Sequence, residues 1–78
     1  MSVERLVAMA NDIASYFESE PDREAAVTGV ATHIRRYWVP RMRERIIEHL
    51  EKGGIGLDEL ARAGVASLSA GTRVTDPR

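Results

Sequence analysis

Few side chains in this 78-residue sequence have the chemistry to act on a substrate. There is no cysteine, which excludes a disulfide framework, a thiolate nucleophile and a cysteine-based zinc site. The two histidines are His33 and His49. Neither has a second histidine one turn away, and Glu48-His49 lacks the further ligand that a zinc-binding helix needs. Each falls beside the apolar arc of a helix, the usual place of an interfacial or exposed histidine. Ser2, Ser15, Ser19, Ser67 and Ser69 fall at caps, on polar faces or in the C-terminal stretch, with no base converging on them. The carboxylates read as the coating of solvated helix faces. Short helices also leave little room for a ligand pocket of roughly 300 Å³. The expectation is therefore a non-enzyme: no catalytic, cofactor-binding or metal-binding residues.

Arginine is the exception. The formal net charge of −1 argues against a globally basic nucleic-acid binder or a polybasic membrane protein, yet it is a cancellation. Residues 1–24 are strongly acidic, whereas residues 33–45 carry Arg35, Arg36, Arg41, Arg43 and Arg45 against Glu44 alone. Arginine suits bidentate contacts to carboxylate or phosphate, and Tyr37 and Trp38 are interleaved with the cluster. Arg41 and Arg43 would also sit in the first turn of a helix, where positive charge opposes the macrodipole.

Helices must position these residues, because helical periodicity dominates and strand signals are absent. From Ser2 as N-cap, Val3, Leu6, Val7, Ala10, Ile13, Ala14 and Phe17 fall on one arc of a first helix. A second helix from Pro21 or Asp22 to Trp38 has the arc Ala26, Val27, Val30, Ala31, Ile34, Tyr37 and Trp38. Pro40 reads as the first residue of a third helix carrying Met42, Ile46, Ile47 and Leu50. Lys52-Gly53-Gly54 would stop it. Asp58 can cap a short fourth helix to about Leu68, with Leu57, Leu60, Ala61, Val65 and Leu68 apolar and Gly64 weakening it by about 1 kcal/mol. Residues 69–78 read as a disordered tail after a single helical domain at 1–68. The expected fold is all-α, a small bundle of three main helices with a weaker fourth.

Several positions invite an internal or an external reading. Arg43 projects into the apolar arc of the third helix, so it must snorkel, pair with an internal carboxylate or meet a partner. Arg35 is expected in solvent. Gly29 shares a stripe with His33 and Arg36, which suggests close approach by a partner backbone or simply a tolerated glycine. Met9 and Tyr16 widen the apolar flank of the first helix, to be covered by the fourth helix or by another protein.

The stretch His33-Ile34-Arg35-Arg36-Tyr37-Trp38-Val39-Pro40-Arg41-Met42-Arg43 closely resembles the signature of the delta subunit of NAD-dependent, molybdenum-containing formate dehydrogenases. Leu6-Val7-Ala8-Met9-Ala10-Asn11-Asp12-Ile13, Tyr16-Phe17, Gly29-Val30-Ala31 and Gly53-Gly54-Ile55-Gly56-Leu57 are similar to the same family at the same spacing. The resemblance covers about residues 3–68. It implies a small accessory subunit without cofactors of its own. The partner complex is then expected to hold a molybdenum bis-guanine-dinucleotide centre and iron–sulfur clusters in its catalytic alpha subunit, with flavin serving NAD elsewhere. Carried over by position, Asn11, His33, Arg36, Trp38, Pro40, Arg41, Met42 and Arg43 are the expected partner-binding residues. Val39 departs from the family pattern, which usually has an acid before the proline.

The leading expectation is a cytoplasmic, non-catalytic subunit binding the catalytic alpha subunit to stabilise it or support its cofactor assembly. No apolar run approaches the roughly 20 residues of a membrane span, and no signal peptide is recognisable. The alternative is a small helical nucleic-acid-binding module using Arg35 to Arg45, whose affinity would fall steeply with salt. Self-association of the isolated chain, through its oppositely charged patches, is a third reading.

Overall fold

A computed structural model describes residues 2–73. It contains four helices: α1 (Val3–Phe17), α2 (Arg23–Tyr37), α3 (Pro40–Glu51) and α4 (Glu59–Arg73). The expected all-α architecture is what the chain adopts, and its start and stop signals act locally. Ser2 is extended and its Oγ accepts the Arg5 N–H at 3.1 Å, so it caps α1. Asp22 caps α2 by accepting from the N–H groups of Glu24 and Ala25 at 3.0 and 3.4 Å. Pro21 therefore precedes the cap and lies outside the helix, which begins at Arg23 rather than at Pro21 or Asp22.

Pro40 opens α3 as expected. At the other end the Gly54 N–H donates to His49 O at 2.9 Å and the Gly53 N–H to Leu50 O at 3.0 Å, which is a Schellman closure. Gly53 and Gly54 make it possible with φ of +119° and +65°.

The fourth helix departs most from expectation. It runs through Arg73 rather than stopping near Leu68, so residues 69–73 continue the helical domain; residues 74–78 of the expected tail lie outside the described residues. It is as long as α1 and α2, and it packs on all three other helices, most extensively on α2. Gly64 explains the closeness of that crossing: a β-carbon there would stand 2.7 Å from Val30 Cβ and nearer still to Val30 Cγ1. The glycine weakens the helix as an isolated element but lets two backbones approach.

The core is dry. Leu6, Ala10 and Ala14 of α1, Val30, Ala31 and Ile34 of α2, Ile46 of α3, and Ala61, Val65 and Leu68 of α4 are buried, joined by Leu57, Leu60 and Trp38. No polar side chain is buried with them among the described residues. Phe17 lies across Gly29, where a β-carbon would meet its ring at 2.5 to 2.9 Å, so that glycine serves an internal contact. Met9 packs against the core, whereas Tyr16 is 80% exposed.

Candidate partner-binding site

The arginine-rich segment forms the corner between α2 and α3. Tyr37 ends α2, and Trp38 and Val39 are both extended before Pro40 restarts the helix. An extended pair at this point redirects the chain, and the pre-proline position disfavours helical geometry for Val39. The Trp38 indole goes inward, leaving the residue 5% exposed, and the Trp38 backbone N–H donates to Ile34 O at 2.9 Å. Trp38 thus takes the core position that the helical pattern shared with Tyr37. The tyrosine, at the last turn with no helix left to cover it, is 67% exposed.

Arg43 fastens the corner. Its Nη1 donates to Trp38 O at 2.6 Å and to Arg35 O at 3.3 Å. These are carbonyls that the end of α2 cannot satisfy within the helix, and a cation beside them complements the negative end of the macrodipole. Of the fates open to an arginine in an apolar arc, the chain uses one that sequence reasoning missed: capture of a neighbouring helix end, with no carboxylate involved. The missing signal is tertiary, since a helical wheel gives an angle and not what stands opposite. Arg35 is exposed, as expected, with its guanidinium beside Gly71 of α4.

What remains outside is a cationic and aromatic ridge. His33, Arg36, Tyr37, Pro40 and Arg41 are exposed. The His33 and Tyr37 rings lie one turn apart with centroids at 4.7 Å. Among the described residues, ion pairs join Arg23 to Glu59 at 3.8 Å and Lys52 to Glu48 at 3.4 Å. Neither draws on the five arginines of the cluster. Met42 is half-buried against the core.

Asn11 stands apart from this corner. Its Nδ2 donates to Gly56 O at 2.9 Å and its Oδ1 accepts the Asp58 N–H at 2.8 Å. It therefore holds the α3–α4 connector, at the opposite end of α3. The sequence-predicted residues thus divide: His33, Arg36, Pro40 and Arg41 are exposed at the corner, Trp38, Met42 and Arg43 build that corner, and Asn11 lies at the connector.

Among the described residues, no group of His, Asp or Glu side chains converges in a way that could hold a metal ion. None of their helices is long and apolar enough to cross a membrane. The depressions along α3, lined by Arg41, Glu44, Arg45 and Glu48 and then by His49 and Lys52, are polar and open to solvent. The described residues form a small all-α protein with a dry core and with cations and aromatics on its surface. Residues 5–65 match the model of the NADH-dependent formate dehydrogenase delta subunit family, FdsD, and the chain belongs to that family. Comparisons with curated proteins and with solved structures give no match.

Proposed function

We propose that this chain is a non-catalytic accessory subunit that docks its α2–α3 corner onto the catalytic alpha subunit of an NADH-dependent formate dehydrogenase. In this reading it stabilises that subunit or supports assembly of its molybdenum cofactor. The iron–sulfur, flavin and NAD chemistry then resides entirely in the partner complex in the cytoplasm. The family supplies the enzyme; the corner supplies the surface. The observation that carries the reading is the ridge of His33, Arg36, Tyr37, Pro40 and Arg41, exposed on a corner held by Arg43. Aromatic and arginine side chains on a preset backbone are the usual anchors of protein interfaces.

The test is coexpression with the other subunits and pull-down through a tag on this chain. Arg36→Glu with Arg41→Glu reverses two exposed cations and leaves Arg43 in place. Loss of the catalytic subunit from the pull-down, with the helical circular dichroism and melting unchanged, is the expected result. Undiminished copurification overturns the corner as the docking surface. Measuring molybdenum per catalytic subunit, made with and without this chain, separates a cofactor-assembly role from stabilisation of the folded subunit.

A further inference from the structure

The outward face of α2 is unlike that of α3. Along α3, Arg41, Glu44, Arg45 and Glu48 are all exposed, as on an ordinary solvated helix. Along α2 the exposed residues from Ala25 to Thr32 are Ala25, Thr28 and Thr32, and no Asp, Glu, Lys or Arg occurs from Ala25 to Ile34. At 3.6 residues per turn these three share one narrow stripe, with Arg36 continuing it and Glu24 on its flank. Charge is confined to the ends. Glu24 stands in the first turn, after Glu20 and Asp22, and Arg35 and Arg36 stand in the last. All are exposed, and the ion pairs among the described residues include none of them. The helical rise puts Glu24 and Arg36 about 18 Å apart, beyond the screening length of roughly 10 Å at 0.1 M salt. The two ends therefore cannot neutralise each other within one chain. The macrodipole favours acids at the start and bases at the end, but it gives no reason to leave the face between them uncharged.

We infer that the chain by itself forms a two-fold homodimer in which α2 packs antiparallel on the α2 of a second copy. The stripe is self-complementary about the level of Val30. Glu24 of one copy comes opposite Arg36 of the other, Ala25 opposite Arg35, and Thr28 opposite Thr32. A two-fold contact makes each of these pairs twice and closes at two copies. Arginine suits the carboxylate opposite it, since its planar fork can take both oxygens. Antiparallel helices also set the positive end of each macrodipole beside the negative end of the other. Alanine and threonine at the centre let the axes approach to about 8 Å, the close end of helix–helix distances. Arg36 also belongs to the docking ridge, so a chain docked on the enzyme through that ridge releases its second copy. That consequence rests on the docking reading; the dimer does not.

Sedimentation of the full-length chain, with no other subunit present, tests the dimer. At low salt a monomer–dimer equilibrium is expected, moving toward monomer as salt rises. Glu24→Arg and Arg36→Glu each disrupt the pair twice, and each should weaken dimerisation by about tenfold or more. Mixing the two variants should restore a dimer, and so should both substitutions in one chain, because opposite charges again face each other. Thr28→Arg, at the centre of the stripe, should abolish the dimer without shifting the thermal melt. A chain that stays monomeric at about 1 mM in low salt overturns the inference. So does a charge-swapped chain that keeps its helical circular dichroism and fails to associate. Assemblies that go on growing with concentration overturn the two-fold arrangement in favour of a head-to-tail contact. None of these results touches the docking reading, which the pull-down with Arg36→Glu and Arg41→Glu decides separately.

Discussion

The α2–α4 crossing and the two ends of α3 are held by different physics. At the crossing, Val30, Ala31 and Ile34 face an apolar surface of Ala61, Val65 and Leu68, and Gly64 sets how closely the backbones approach. No polar side chain is buried there among the described residues, so shape decides the fit. At the ends of α3 the chain turns and leaves carbonyls without helical partners, and long polar side chains reach over to take them. Where water is excluded, volume is conserved closely. Where water can reach the backbone, hydrogen bonding sets the geometry and leaves surface free for display. The difference places function at the turns.

Gly64→Ala breaks the crossing and has the largest expected effect. On an exposed helix this change would stabilise by about 1 kcal/mol. Here the added carbon meets Val30 at its branch point, which cannot rotate away because the β-carbon is fixed by the backbone. Overpacking of this kind costs about 1–3 kcal/mol, and sometimes more. We expect a net loss of about 2 kcal/mol, read as a lower urea midpoint. A raised midpoint would mean that the helices can separate and that the crossing is no tighter than the turns.

Arg43→Met removes the α2 cap while keeping a long apolar stem in the same place. Two hydrogen bonds from a charged donor are lost, but the corner is only half-buried, so water can replace part of them. A loss of about 1–1.5 kcal/mol is expected, smaller than at Gly64. The same variant should weaken copurification, because the ridge loses its fixed backbone. Equal losses at Gly64 and Arg43 would erase the distinction between shape-held and hydrogen-bonded regions.

Signals within one turn of the chain were legible in the sequence, and those spanning the bundle were not. Ser2, Pro40 and Gly53-Gly54 act on neighbours a few positions away, so cap, start and stop follow from residue type. Asp22, by contrast, caps α2 from just outside a helix that the pattern began at Pro21 or Asp22. The apolar arcs of all four helices were readable for the same reason, apart from Tyr37, whose cover depends on where the helix ends. Gly29 and Gly64 were opaque because what fills the space beside each is a side chain of another helix, Phe17 and Val30. The run Ser69-Ala70-Gly71 has weak helix propensity, yet α4 continues through it with Gly71 beside Arg35 of α2. Packing overrides propensity there. Of the binding residues, exposure at Arg36 and Arg41 agrees with their composition. The diversion of Asn11 and Arg43 to backbone carbonyls required knowing which chain ends lie opposite them.

The smallest effect, and the sharpest for the corner, comes from Val39→Asp. Both α1 and α2 begin with a side-chain cap, whereas Val39 provides none for α3, and the first turn of α3 contains no acid. Valine is among the poorest N-cap residues, and Asp among the best. Val39 is already extended, with φ −72° and ψ 158°, so aspartate needs no backbone change to accept an N–H from Arg41 or Met42. The carboxylate would also offset the unfavourable placement of Arg41 and Arg43 near the positive helix end. We expect a gain of about 0.5–1 kcal/mol in urea unfolding. Affinity for the enzyme complex should move the opposite way, because the new carboxylate competes with an acidic partner for Arg41. Stability and affinity shifting together would mean that the cations at this corner serve the fold rather than a partner. Shifting apart, they would show that the missing cap keeps Arg41 available for docking.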